Sequence, residues 1–305
     1  MFSAPFLTRN LSFVATATTV SLSAIALGLP AEAASLIGGA ENIVGSGFNI
    51  NDRSALDAAG IPFLEVGGTR IYTGTRQVSS NNQDPFVASF TGDTVNWIQA
   101  YDTTPADADG VALLWDGGQQ SLYAAFEIDG GSSGFGSIVS SNGGWLGSGQ
   151  LSGARKLTVL LQLNADTGNA LGGTYISSLL QNGNTNSAAG TSSLVFKDNG
   201  NVVIDLETSF SPRGTDGQII GTRTTDQGSP FEYRLEFKPD LTEAVDAIAV
   251  GWNGVTELPS LSSGGDGGGD GGGDGGPTKV PEPSVLGAIA ALGAWGALRK
   301  LRKRG

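Results

Sequence analysis

Apolar residues recur at short period from Thr69 to Val250, in brief runs broken by glycine, asparagine and aspartate. A period near two is the mark of strands with one buried face, and runs this short leave little room for long helices. The pattern predicts strands over 69–73, 86–90, 95–101, 111–115, 122–128, 157–163, 173–178, 194–196, 202–206, 218–222, 233–237 and 245–250. No amphipathic helix of more than three turns is expected between them. Forty-eight glycines and 15% charged residues fit many turns between short strands. The expected class is all-β.

A weak internal repeat orders these strands. An opening strand ends at Leu56–Gly60, again at Leu114–Gly118 and again at Phe196–Gly200. A second strand follows at Ile71–Gly74, Leu122–Ala125 and Val202–Asp205. A third runs to Asp93, Asp166 or Asp240, and a fourth lies at Trp97–Tyr101, Gly173–Ile176 and Ala247–Val250. The paired aspartates, Asp57 to Asp93, Asp116 to Asp166 and Asp198 to Asp240, are 36, 50 and 42 residues apart, so the framework repeats while the loops vary. The long loop Gly130–Gly153 accounts for most of the second unit's excess. The order of a turn Asp, an aliphatic-Tyr strand, a Phe-Val-x-x-Phe strand and a Trp strand resembles bacterial β-propeller repeats of the SBBP type, over roughly Ser54–Trp252. The resemblance implies a propeller-like body of about three four-stranded repeats, with Ser35–Asn51 adding strands. A β-sandwich and a three-fold prism are the alternatives, since three units are fewer than the four to eight blades of a propeller.

Both ends read as addresses. Residues 1–33 have the form of a secretory signal peptide: Arg9, an apolar stretch Leu11–Leu29, and the small-x-small cleavage motif Ala31-Glu32-Ala33. The all-β extracellular body is expected over 34–259. Residues 260–279 form a linker in which Asp266, Asp270 and Asp274 are spaced by glycine triplets. Such a composition buries no core and makes a tether of roughly 20–25 Å r.m.s. span. At 280–305, Pro281-Glu282-Pro283 precedes an expected helix over 284–298, capped by Ser284, and a basic tip of Arg299, Lys300, Arg302, Lys303 and Arg304. At about 1.5 Å per residue the uncharged run spans about 21 Å, short of the roughly 30 Å hydrocarbon core, and the flanking cations reach the headgroups by snorkelling. The basic tip stays cytoplasmic and leaves the body outside.

This three-part tail resembles the PEP-CTERM sorting signal of Gram-negative and cyanobacterial exported proteins. The resemblance implies that an exosortase-type protease cuts near Pro281-Glu282-Pro283, so that the membrane helix is a transient anchor and the body reaches the cell surface or the medium.

The residues that are missing exclude several chemistries. The chain has no cysteine, hence no disulfide and no thiolate metal site. It has no histidine, hence no imidazole base, ligand or pH switch. Residues 34–280 carry 11 basic and 27 acidic side chains, a net charge of −16, which repels phosphate backbones and makes nucleic acid an unsuitable partner.

Candidate sites are few. Gly130-Gly131-Ser132-Ser133-Gly134 has the string of a nucleophile elbow but no histidine to serve it, and is expected to be a flexible loop. Asp107 and Asp109, followed by Gly110, begin an oxygen-ligand calcium loop whose other ligands are absent, so no cofactor is expected beyond a weak calcium site. The aspartates at strand ends are expected to cap turns. Glu127 and Asp129 are the nearest approach to the paired carboxylates of a glycosidase. Trp97, Trp115 and Trp252 belong to strand patterns and are expected in the core. Trp145, in a glycine-rich loop, is the aromatic expected to be exposed and to mark a ligand loop. The reading is a non-enzymatic exported surface or matrix protein, with the sorting protease and extracellular polysaccharide as expected partners. A secreted carbohydrate-active enzyme working with carboxylates alone is the alternative.

Overall fold

The computed structural model describes residues 33–38, 42–103, 106–117, 121–130, 133–148, 156–225 and 228–261. The chain divides into two compact units, Met1–Gly264 and Gly265–Gly305, and the second lies wholly outside the described residues, as does the expected helix over 284–298. Among the described residues no helix is long and apolar enough to cross a membrane.

The first unit is all-β. β1 (Ala34–Ile37), β2 (Ile43–Val44) and the short helix α1 (Arg53–Ala58) lead into β3 (Phe63–Val66), β4 (Thr69–Ser79), β5 (Asn82–Thr91) and β6 (Thr94–Ala100). β3 to β6 form an antiparallel meander. Its first hairpin turns on Gly67 and Gly68, both at positive φ, the backbone a two-residue hairpin with the sheet's own twist requires. β7 (Ala108–Asp116), β8 (Ser121–Asp129), helix α2 (Ser133–Ser141), β9 (Lys156–Asn164) and β10 (Ala170–Ile176) follow, and their four strands make a second meander. A small hairpin, β11 (Ser178–Leu179) with β12 (Thr185–Asn186), precedes the third meander: β13 (Ala188–Phe196), β14 (Val202–Thr208), β15 (Phe231–Phe237) and β16 (Ala244–Ala249). β1 pairs antiparallel with the free edge of β7, and one parallel pair, Ala188 with Leu157, joins β13 to β9.

The three meanders are layered, with the second in the middle. Alternate residues of its strands serve two cores. Leu113, Leu122, Ala124, Phe126, Val159 and Leu161 pack with Leu64, Ile71, Val87 and Trp97 of the first meander. Ala112, Leu114, Tyr123, Ala125 and Leu160 pack with Leu194, Ile204, Leu206, Tyr233 and Leu235 of the third. Hence β7, β8 and β9 are buried almost without alternation, as strands covered on both faces must be. A third core lies on the outside of the first meander, where Leu56 of α1, Ile50 and Ile61 cover Tyr72, Phe86 and Phe90.

The second and third meanders lie in one nine-stranded sheet, and none of the sheets closes on itself. Three local expectations are corrected. Leu56–Gly60 closes helix α1 and its turn, since the Asp52 carboxylate accepts from the Ala55 N–H at 3.2 Å and caps it; β3 opens the first meander instead. Residues 218–222 are not a strand: apart from an isolated bridge between Ile219 and Arg213 they run irregularly between β14 and β15. The segment after Gly130 is not wholly loop, because α2 begins at Ser133 and buries Phe135 and Val139 beside Phe126. One turn separates those two residues, which gives a short helix its single apolar face.

A candidate binding groove

The carboxylates singled out in the sequence are held by groups of the protein itself. Glu127 Oε1 accepts from the backbone N–H of Gly190 at 2.5 Å and of Thr191 at 3.0 Å, where β13 crosses the end of β8. Asp129 pairs with Lys156 at 3.6 Å. Asp109, opposite Glu127 across the strands, accepts from Thr75 Oγ1 at 3.2 Å and Lys156 Nζ at 3.3 Å. Burial pushes the Asp109 carboxyl up against the pull of Lys156 and Thr75. Burial also pulls the Lys156 ammonium down, but Asp109, Asp129 and Glu127 together raise it above its ordinary value. Asp107 accepts from the Gln83 N–H at 2.9 Å. Among the described residues no three acidic side chains are grouped as a metal ion would need. The elbow string does follow a strand and enter a helix, as an elbow requires, but Ser132 lies outside the described residues.

Of the strand-end aspartates, Asp240 caps its turn, accepting from the N–H and hydroxyl of Thr242 at 3.1 and 2.8 Å. After β9 the cap is Asn164, which accepts from Asp166 N and Thr167 N at 3.0 Å each. Asp57 instead anchors Tyr72 Oη at 2.7 Å and Arg70 Nη1 at 3.0 Å, and Asp93 makes an exposed pair with Arg53 at 3.4 Å.

Trp97 and Trp252 are buried in the cores as expected, Trp115 packs partly buried against one, and Trp145 departs from expectation. Trp97 is core, and its Nε1 donates to the Ala165 carbonyl at 2.7 Å. Trp145 is not a free platform: it is half-buried, its ring meets Phe237 edge-on at 5.5 Å, and its Nε1 donates to Thr215 O at 2.7 Å. Trp115 and Trp252 both hold a buried Nε1 that has no partner among the described residues, and each lines a concavity.

The concavity at Trp115, about 560 Å³, is roofed by side chains that satisfy one another. Thr69 and Thr91 share a hydrogen bond at 3.1 Å, and Asn96 Nδ2 donates to Ser89 and Thr91 at 3.1 and 3.0 Å. The concavity at Trp252 is larger, about 940 Å³, and is built from irregular backbone beside the third meander. One wall is the tip of the β11–β12 hairpin, with Gln181 and Asn182 exposed. Its turn is set by Gly183 at φ +82, whose N–H donates to Leu180 O. The opposite walls are Ser209, Phe210 and Ser211, then Ile219 and Gly221–Arg223, then Ser229 and Phe231.

Specific bonds hold this irregular chain in place. Leu179 and Ser211 exchange backbone hydrogen bonds at 2.8 and 3.0 Å. Arg213, buried, donates Nε to Ser177 Oγ at 3.0 Å, Nη1 to Gly217 O at 2.5 Å and Nη2 to Thr185 Oγ1 at 3.2 Å. Burial lowers its pKa from the ordinary value. The Tyr233 hydroxyl donates to Arg213 O at 2.6 Å, and burial of that phenol raises its pKa strongly. Asn253 ties the 220–222 segment to the chain after β16, accepting from Thr222 N at 3.0 Å and donating to Ile220 O at 2.9 Å. Gly251 lies at φ +85, and a Cβ there would meet Thr225 Cγ2 at 2.5 Å, so only glycine lets the chain turn Trp252 into this wall. Trp252 in turn meets Phe231 edge-on at 6.1 Å, and the Arg223 guanidinium lies 5.0 Å above the Phe231 ring.

The groove escaped the sequence reading because Ile219, Gly221, Thr222 and Trp252 read as strand residues and Gln181, Asn182 and Phe210 belong to no strand pattern. A signal was present: residues 209–230 form a long connection with one short aliphatic run, and such loops in compact domains are commonly functional. Comparison with protein-family models and with curated proteins finds no match to this chain.

Proposed function

We propose that the chain is an exported, non-catalytic surface or matrix protein with a binding role, sent out by its N-terminal leader and sorted through Pro281-Glu282-Pro283. The observation that carries the non-catalytic part is the engagement of Glu127, Asp109 and Asp107 by backbone and side-chain donors, with Asp129 ion-paired to Lys156. A carboxylate-only hydrolase needs two acids facing one cleft across a substrate. Among the described residues, no carboxylate lines the larger groove. The sorting part is supported by the tail: a Pro-Glu-Pro stop, an uncharged run and five cations in a row of six residues.

On this reading the body is held outside the inner membrane by a transient helix at 284–298, processed by an exosortase-type protease, and left at the cell surface or in the medium. The propeller-like kinship of the body belongs to the same proposal. Three tandem meanders support it, whereas their layered packing is nearer to a sandwich than to a ring. Replacing Glu282 by Ala tests the sorting. The expected outcome is full-length protein accumulating in the membrane fraction; release at the same rate, with the same mature C-terminus by mass spectrometry, would sink it.

A further inference from the structure

We propose that the 940 Å³ groove beside the third meander binds an uncharged segment of a glycan chain. This extends the binding role proposed above by naming a place and a ligand chemistry.

The lining argues against charged ligands. Among the described lining residues there is no carboxylate to hold a cation; the one charged side chain, Arg223, is engaged by the Phe231 ring and by the Thr225 carbonyl at 3.0 Å, in a body whose net charge of −16 disfavours polyanions. What it offers is aromatic surface interleaved with amides and hydroxyls. Phe210 is 42% exposed at the mouth, a large apolar ring left in water. Gln181 and Asn182 stand at the hairpin tip opposite, and each amide can donate and accept. A sugar ring presents that same alternation: an apolar C–H face that stacks on an aromatic, and an equator of hydroxyls that donate and accept.

Trp252 is the independent sign of a ligand. It is 6% exposed, lines the groove, and its buried Nε1 has no acceptor among the described residues. A buried donor without an acceptor is costly, and indole can only donate. A ligand hydroxyl placed against it removes that cost. The Trp97 and Trp145 indoles, by contrast, already donate to carbonyls at 2.7 Å. The first concavity also holds an unpartnered indole, Trp115, but it offers fewer free polar groups beside it, because its threonines, serine and asparagine bond to one another.

Affinity electrophoresis of the full chain tests this, in gels containing dextran, mannan or a β-glucan as neutral probes and alginate as the acidic one. The expected result is retardation by at least one neutral polysaccharide and none by alginate. Phe210→Ala and Gln181→Ala, both at exposed positions, are expected to weaken the retardation about tenfold and several-fold respectively, as for truncated anchor residues at interfaces. Trp252→Phe keeps an aromatic side chain and removes the donor, and is expected to weaken the retardation, read at a temperature where both proteins remain folded. Retardation by alginate alone, by no polysaccharide, or equally in the parent and all three variants would overturn the proposal. Each of those results leaves the Glu282→Ala experiment untouched, so a failed groove and a failed sorting signal are told apart.

Discussion

The two outward faces of the stack solve the same problem in opposite ways. The first meander's outer face is apolar, and Leu56 of α1 with Ile50 and Ile61 is laid over Tyr72, Phe86 and Phe90. The third meander's outer face carries Asp205 and Glu207 from β14 and Glu232, Arg234 and Glu236 from β15, the odd partners of core residues on the same strands. Arg234 makes a two-pronged pair with Asp205 at 2.6 and 2.7 Å and reaches the carbonyl of Pro259 as the chain leaves the body. Glu236 accepts from Lys197, Asn199 and Asn201. One face is closed by burial of carbon, the other by mutual neutralisation of charge. The first is strong without being specific, whereas the second contributes stability only while its partners are complete.

The contrast is sharpest when each face loses one residue. Phe86→Ala is expected to lower unfolding stability by about 4 kcal/mol, because the ring is fully buried and fills the space beside Gly74, with ring atoms 3.1 Å from where a Cβ would stand there. A loss below about 1 kcal/mol in a denaturant melt would mean that the α1 cover is not a true core.

On the charged face, Arg234→Ala is expected to cost about 3 kcal/mol, since Asp205 stays buried without its partner. Replacing both, Arg234→Met with Asp205→Leu, is expected to recover most of that loss. Failure to recover would show that the link to Pro259, not the ion pair, is what matters.

Smaller is the pH effect of Glu236. Burial raises its pKa, but Lys197, Asn201 and Asn199 outweigh that and hold it below its ordinary 4.5. A depressed carboxyl contributes stability that is present above pH 4.5 and lost as pH falls through the folded value. Melts between pH 5.5 and 3 are expected to fall less steeply in Glu236→Gln; an unchanged slope would break the argument. Smallest is Asp93→Ala, which removes the surface pair with Arg53 and is expected to change stability by no more than about 0.5 kcal/mol.

The same two faces explain what was legible in the sequence. Strand identity was readable where alternation or a continuous apolar run signals it, as at Phe86–Phe90 or Leu157–Leu163. The stacking order was not, because Leu122 and Tyr123 look alike in sequence although they serve different cores. Residues 218–222 read as a strand because Ile219 and Ile220 are aliphatic, yet they pack under the groove as irregular chain. Trp145 stands out through its glycine neighbours, while Phe210, which lines the groove, sits between serines in no pattern, and Trp252 follows a strand pattern that points only to the core. Nothing in the residue string says which indole lacks an acceptor; only the folded neighbours do.

On the proposed export, the pairing of β1 with β7 has a further consequence. Residues 34–37 begin directly after the expected leader junction at Ala31–Ala33, and they occupy the only edge of β7 not taken by β8. Val111–Leu114 behind them is a buried, uncharged strand. A cut displaced a few residues into β1 would take only the partly buried Ala34 and Leu36 from the core and would uncover a row of unpaired backbone donors and acceptors, the template on which a second copy can add strand to strand. On the proposed reading, the place of leader removal then decides whether the β7 edge stays covered.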